Sequence, residues 1–345
     1  MSSRTRRRFP VAGALAAALM VGLVAYVATH FPRAPLGPRY RGDGNETLRS
    51  GGSFVFSASS NVRTLDPHIA YDELSYTAIR LIYDGLLDYD RNGEFIPSLA
   101  AELPTVSADG KVFTFRLREG VRFHNGRELV AEDVSWSLHE MMSGATSSPG
   151  FGFFRSLVGA EAYHAGEAER VDGIRVLDRY AIEFTLTKPD LTFLNAIAMP
   201  FAYPVPRENY ERWQRVSRSA VGLHPVGTGP FRLAEWERGV QLIFERNEDY
   251  FRQGEPHPDR MIYLENLTDT VPVARFRNGD LDVLTAMPAV HYLFFKGAEA
   301  WQPFLEEAPG ATVSGLAMNC EMEPFDNVHV RRAVAFAIDR EAIRR

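Results

Sequence analysis

The run 107–126 constrains the fold more than any other part of the chain. Asp109 and Gly110 form a turn pair, because glycine tolerates positive φ and aspartate bonds its own backbone. From Phe113 the side chains alternate, with Phe113, Phe115 and Leu117 on one face and Thr114, Arg116 and Arg118 on the other. That is the two-residue period of a half-buried strand. Gly120 and then Asn125-Gly126 break the chain again. The residues alone specify a β-hairpin with one dry face.

Helical and strand periods interleave elsewhere. Residues 53–59 read as a first strand. A helix is expected over 72–87, with Leu74, Ala78, Ile79 and Ile82 as its apolar stripe and Gly85 near its end. A second helix begins at 133–138. Residues 174–177 and 180–186 form a hairpin around Asp178-Arg179, with Tyr180, Ile182, Phe184 and Leu186 on one face. A short helix follows over 190–199, then a hairpin of 231–236 and 240–246. Val273, Ala274 and Phe276 lie on a helix closed by Gly279, and a strand is expected over 281–284. Near the end, Asp326 or Asn327 caps a helix whose stripe is Val330, Ala333, Val334, Ala337 and Ile338. The mixture is that of an α/β protein.

The chain has 345 residues, 45% hydrophobic and 24% charged, enough for two lobes. A net charge of −6 gives no basic face and argues against a nucleic-acid partner. Cys320 is the single cysteine, so an intrachain disulfide and a cysteine-based zinc site are both excluded. It reads as a packed thiol. No Gly-x-Ser-x-Gly elbow, His-Glu-x-x-His helix, P-loop or Gly-x-Gly-x-x-Gly turn is present. Gly227-Thr228-Gly229 is followed by Pro230, so it serves backbone geometry and not phosphate binding. The nine histidines show no metal spacing, and His124 and His139 read as solvated or core residues. No catalytic residue, metal or cofactor is expected.

Arg4, Arg6, Arg7 and Arg8 precede an uncharged apolar run, 11–31. The basic cluster stays cytoplasmic, so the rest is expected to be exported. The run is long enough to span a bilayer, as an anchor or a signal segment. Prolines and glycines from Pro32 to Gly44 then mark a flexible stalk to about residue 50.

The 107–126 run also resembles the signature segment of the family 5 extracellular solute-binding proteins, the peptide, nickel and related receptors that feed ABC importers. Further segments resemble that family in the same order: Leu65-Asp66-Pro67, Ile82-Tyr83-Asp84-Gly85-Leu86, Ala131-Glu132-Asp133-Val134, Gly227-Thr228-Gly229-Pro230-Phe231, and Pro324-Phe325-Asp326-Asn327 with Val330-Arg331-Arg332-Ala333. The family usually carries Thr before Ala-Glu-Asp; Val130 stands there, at a cost of about 1 kcal/mol unless the acids offset it.

The resemblance implies a type II periplasmic-binding fold of two lobes closing over a cleft. Residues 51–75 and 190–295 would form the first lobe, 76–189 its added subdomain, and 296–345 the start of a second lobe that is largely missing, as in a C-terminal truncation. It implies an extracytoplasmic, monomeric receptor that captures a peptide or similar small solute and delivers it to a membrane permease, without enzymatic activity. Tyr71 and Glu73 and the aromatic residues Phe151, Phe153 and Phe154 fall near ligand contacts of relatives, and Thr285, Ala286 and Met287 lie where the strand after Leu281 would meet the cleft; the acidic residue that clamps a peptide's amino group in some relatives lies in the second lobe, outside this sequence. A non-transporting anchored sensor or scaffold, a degenerate fragment and an extracytoplasmic hydrolase are the alternatives.

Overall fold

The structure is a computed structural model that describes residues 50–285, 287, 289–307 and 315–344. The basic and apolar N-terminal segment and Ala286 lie outside the described residues. Among the described residues no helix is long and apolar enough to cross a membrane. The chain divides into two compact units, one ending at Trp301 and one running Gln302–Arg345.

The strands are β1 (Ser53–Ser57), β2 (Leu87–Tyr89), β3 (Phe95–Pro97), β4 (Thr105–Val106), β5 (Val112–Arg116), β6 (Ile174–Asp178), β7 (Ala181–Thr185), β8 (Phe231–Glu237), β9 (Gln241–Arg246) and β10 (Arg260–Leu264). The helices are α1 (Glu73–Ile82), α2 (Ala131–Met142), α3 (Ala160–His164), α4 (Phe193–Ala198), α5 (Arg207–Gln214), α6 (Arg218–Val221), α7 (Val271–Asn278), α8 (Ala289–Gly297), α9 (Val328–Ala337) and α10 (Arg340–Arg344).

One sheet has the order β1-β10-β9-β8, a second β4-β5-β7-β6, and β2 pairs with β3 as a ribbon. In the first sheet β1 runs parallel to β10, with Phe56 opposite Tyr263, while β10, β9 and β8 are antiparallel neighbours. The Phe56 and Tyr263 rings stack at 4.4 Å between centroids. Helix α1 turns Ala78, Ile79 and Ile82 into the core that also holds Phe56, Leu65, Tyr210, Phe244 and Tyr263. In the second sheet Phe113 and Phe115 of β5 face Phe184 of β7 and join Leu138, Met141 and Phe193 in a separate core. Each such side chain contributes about 2 kcal/mol by leaving water, and this is the dry face that the alternation in 107–126 predicted.

Helix α1 is shorter than its stripe suggested. Tyr83 is extended, and the Ile82 carbonyl at the helix end accepts the Gly229 N–H at 2.8 Å. Gly85 lies beyond the helix, where the Tyr203 ring, 2.6 Å from where a Cβ would stand, leaves no room for a side chain. Asp190 does not begin α4. Its carboxylate accepts from the Thr192 N–H and hydroxyl, closing a turn ahead of the helix. Helix α2 starts at Ala131 with no side-chain bond from Val130, yet the Asp133 carboxylate accepts the Val130 N–H at 2.9 Å and is gripped by Arg127. Half of a capping box survives the loss of the hydroxyl. Helix α7 ends as expected, with Gly279 in the left-handed region.

The strand expected over 281–284 is not formed. Asp282 donates its N–H to the Val55 carbonyl at 2.8 Å and accepts the Val55 N–H on its carboxylate at 2.7 Å. The side chain takes the place a neighbouring carbonyl would hold, so the ladder stops after one rung. Cys320 is exposed, not packed, with its thiol 3.5 Å from the Met318 carbonyl oxygen. In the second unit, Asn327 caps α9 by accepting the His329 N–H at 2.9 Å.

Candidate functional site

The carboxyl ends of parallel strands leave backbone groups and short side chains facing a crevice, the usual place for a ligand in an α/β sheet. Here β1 and β10 end together, and a cavity of about 440 Å³ opens beyond them. Ser57 lines it from the end of β1 and Ser59 from the loop just beyond, Thr268 and Asp269 from the loop after β10, and Thr285 and Met287 from the segment after α7. Pro272 and Leu284 supply apolar wall. Thr285 and Met287 were expected at the cleft; the serines, Thr268 and Asp269 carried no motif by which the sequence could mark them.

The loops that carry these residues are braced from below. Glu265 is buried, and its carboxylate accepts from the Val62 N–H at 2.6 Å and the Gly239 N–H at 2.7 Å. The Asn266 amide donates to Asn61 at 2.6 Å and to the Gly239 carbonyl at 2.8 Å. Asn266 and Asp269 both hold positive φ, +58° and +55°, a conformation that costs non-glycine residues of order 1 kcal/mol and that Asn and Asp tolerate best.

A second surface is aromatic. Tyr71 is 66% exposed and Phe153 45% exposed, and each stacks at 6.2 Å on the fully buried Phe201. The loops bearing them are joined, because the Ser148 hydroxyl donates to the His68 carbonyl at 2.5 Å and accepts the Gly150 N–H at 3.0 Å. Phe151 and Phe154 depart from the expected wall. Phe151 is buried against His164 at 3.7 Å and Phe154 is buried edge-on to Phe193, so both are core residues. Glu73 opens α1 as an exposed first-turn acid, beside Asp72, which caps the helix by accepting from Ser75 at 2.9 Å.

Three of the signature segments, 82–86, 107–126 and 227–231, meet one another. Asp84 is buried and accepts from the Thr228 hydroxyl at 2.9 Å and the Tyr250 hydroxyl at 3.0 Å. His124 bonds the Gly229 carbonyl through Nε2 at 3.0 Å, and its N–H reaches the Gly227 carbonyl at 2.8 Å. A Cβ at Gly227 would strike the Ile82 carbonyl oxygen, so that segment needs glycine for close approach. Burial pushes the Asp84 carboxyl up to about 6 and the His124 imidazole down to about 4. Nearer the N-terminus, Asp66 accepts from Tyr210 at 3.1 Å and from the His68 N–H at 3.0 Å. Burial likewise raises Asp66 to about 6 and lowers His68 to about 3. His139 is fixed by the Ser135 carbonyl at 2.7 Å and the Val171 N–H at 3.0 Å. Among the described residues no group of side chains could hold a metal ion.

Comparison with known proteins gives the fold and the family. The glutathione-binding protein GsiB of Salmonella typhimurium is 26% identical over 289 residues, which cover 84% of this chain and 52% of that protein. The chain thus spans about half the length of the curated relatives it matches. The periplasmic oligopeptide-binding protein OppAIV of Borrelia burgdorferi superposes with a TM-score of 0.74 at 24% identity, over 84% of this chain and 58% of that one. DppA of Helicobacter pylori, solved with a peptide, superposes with a TM-score of 0.63 at 26% identity, over 73% of this chain and 50% of that one. The fold is that of the type II periplasmic binding proteins. Residues 94–345 match the family described as bacterial extracellular solute-binding proteins, family 5 Middle. With three of its signature segments bonded to one another and that match running over most of its length, the chain belongs to the family 5 bacterial extracellular solute-binding proteins.

Proposed function

We propose that this chain is the solute-capturing part of an extracytoplasmic receptor that takes up a peptide or similar small solute for an ABC importer. The cavity at the carboxyl ends of β1 and β10 carries the reading: it is open, polar on several sides, and placed where α/β sheets receive ligands. Tyr71 and Phe153 offer exposed rings for apolar parts of the solute, with Glu73 exposed two residues on from Tyr71 and Met287 at the cavity. Binding is non-covalent and the solute leaves unchanged. The receptor works as a monomer on the outer side of the cytoplasmic membrane, exported or held there by the segment 11–31, and hands its load to a permease. The two cores correspond in this reading to a first lobe and its added subdomain.

Titration calorimetry of the purified protein against di-, tri- and tetrapeptides tests the proposal. Saturable binding with no product formed is the expected result. Absence of heat across peptides and other transported small solutes would overturn it, and turnover of a peptide or ester would replace it with an enzyme.

A further inference from the structure

We propose that Arg118 and Arg252 form a binding site for an oxyanion, a phosphate-type or carboxylate group, just beyond the end of β3. None of its residues lines the cavity at the strand ends, so the inference goes beyond the receptor reading and does not depend on it.

Two arginines from distant parts of the chain are fixed on one residue. Arg118, in the 107–126 run, donates through Nε to the Ser98 carbonyl at 2.7 Å. Arg252, in the loop after β9, donates through Nη2 to the Ser98 hydroxyl at 2.9 Å. Ser98 directly follows β3 and is buried, so it makes a firm anchor. Both guanidiniums also lie over the Phe251 ring, 6.0 and 5.6 Å from its centroid. Charges of one sign are thus held on a shared serine and a shared ring.

Both arginines are half-buried, and among the described residues neither makes an ion pair. Arg116, Arg127, Arg175 and Arg179 show the usual alternative, pairing with Asp178, Asp133, Glu183 and Glu128. Asp84 feels the charge of Arg252, yet its two oxygens are bonded to Thr228 and Tyr250. Glu119 and Glu255, close to the two arginines in the chain, are exposed and pair with neither among the described residues. Each guanidinium spends one side-chain N–H on Ser98 and keeps its other donors for a further acceptor. The face of Phe251 steadies the charges but cannot accept the N–H groups in the guanidinium planes. An oxyanion supplies both the countercharge and the acceptors, in the geometry the guanidinium fork matches.

The test follows the unfolding midpoint of the purified protein against sodium phosphate, sodium sulfate and sodium acetate. Sodium chloride holds the ionic strength constant, so general screening does not change. A saturable rise with at least one salt is expected, because a ligand that binds the folded state alone stabilises it. The salt that saturates lowest names the class of oxyanion. Arg252→Gln still offers an amide to the Ser98 hydroxyl and removes the charge. It should need about tenfold more oxyanion for half the rise, the worth of one charge-assisted hydrogen bond. Arg212→Gln removes an exposed arginine that lies over Trp213 instead and should respond as the wild type does. Side-chain NMR of the wild type reads the site without any variant: the Nε–H signals of Arg118 and Arg252 should shift along the same saturation curve. A rise no larger than chloride gives, an undiminished response in R252Q, an equal loss in R212Q, or arginine signals that stay in place overturns the inference and leaves an adventitious ion only. The receptor reading stands in each case, since no peptide enters the experiment.

Discussion

The Thr228 hydroxyl donates a hydrogen bond of 2.9 Å to the Asp84 carboxylate across 144 residues of sequence. Tyr250 supplies a second donor, and both partners of Asp84 lie in segments that close around the end of α1. Thr228→Val keeps the shape and removes one donor from a buried carboxylate. It should destabilise the protein by about 1–3 kcal/mol, measured by urea denaturation at pH 7.

The same carboxylate gives a pH signature. Its pKa of about 6 in the folded state exceeds the ordinary 3.8. Such a group holds its proton longer when folded, so its stabilisation is full below the unfolded value and is lost as pH rises through 6. Asp84→Asn lacks this term. The stability of the wild type relative to D84N should therefore grow on going from pH 7 to pH 4, by about 2 kcal/mol. His68 and His124 act in the opposite sense: lowered to about 3 and 4 from 6.5, they favour folding above 6.5 and lose that contribution as pH falls. With Asp66 also raised, two carboxyls and two imidazoles oppose one another between pH 6 and 4, and the carboxylates held low by their partners, Glu128 and Glu208, leave the wild type a gentle net decline there. A steep fall in the wild-type unfolding midpoint across that window would contradict the balance.

Gly229→Ala places a Cβ against the Ile82 backbone, which cannot swing aside as a side-chain tip can. A loss of about 1–3 kcal/mol is expected, seen as a lower thermal midpoint. Gly126→Ala has open space around it but a φ of +86°. It should cost about 1 kcal/mol through backbone strain alone.

Val130→Thr should stabilise by roughly 0.5–1 kcal/mol, because it restores a hydroxyl at the start of α2 without changing side-chain size. Equal or lower stability in chemical denaturation would show that the Asp133–Val130 bond already serves the helix end fully.

Tyr71→Ala and Phe153→Ala remove exposed rings that stack on Phe201. Each should weaken solute binding severalfold, about 1 kcal/mol, with a smaller effect on the unfolding midpoint. The reverse pattern, unchanged affinity with large destabilisation, would assign the rings to packing.

The sequence made the sheet around β5 and β7 legible because its side chains alternate between a wet and a dry face. The glycine-rich 227–229 segment was legible as backbone geometry, since Pro230 forbids a phosphate-binding helix there. Strand β10 was missed: Arg260, Met261, Ile262, Tyr263 and Leu264 are too short a run to call, and their pairing partner β1 is far away in sequence. The strand at 281–284 was expected from its apolar pattern, and Asp282, which ends the ladder, acts through a side-chain bond that periodicity does not register. Phe151, Phe153 and Phe154 look alike in sequence, and only the turn of the short helix Pro149–Phe153 decides which ring meets water. The cavity residues after β1 and β10 are small and polar, and nothing but their meeting in space distinguishes them from loop residues.

The parallel pairing of β1 with β10 also sets an order of events. Gly52 and Asp259, bonded just before the two strands, are 207 residues apart. During synthesis β1 is made before β10 and cannot find its neighbour until more than two hundred residues have followed. Until then Phe54, Val55 and Phe56 form an open strand edge, the kind of segment that pairs with the wrong partner. The cavity at the end of β1 therefore forms late, once the strand nearest the start of the described residues has closed with one more than two hundred residues on.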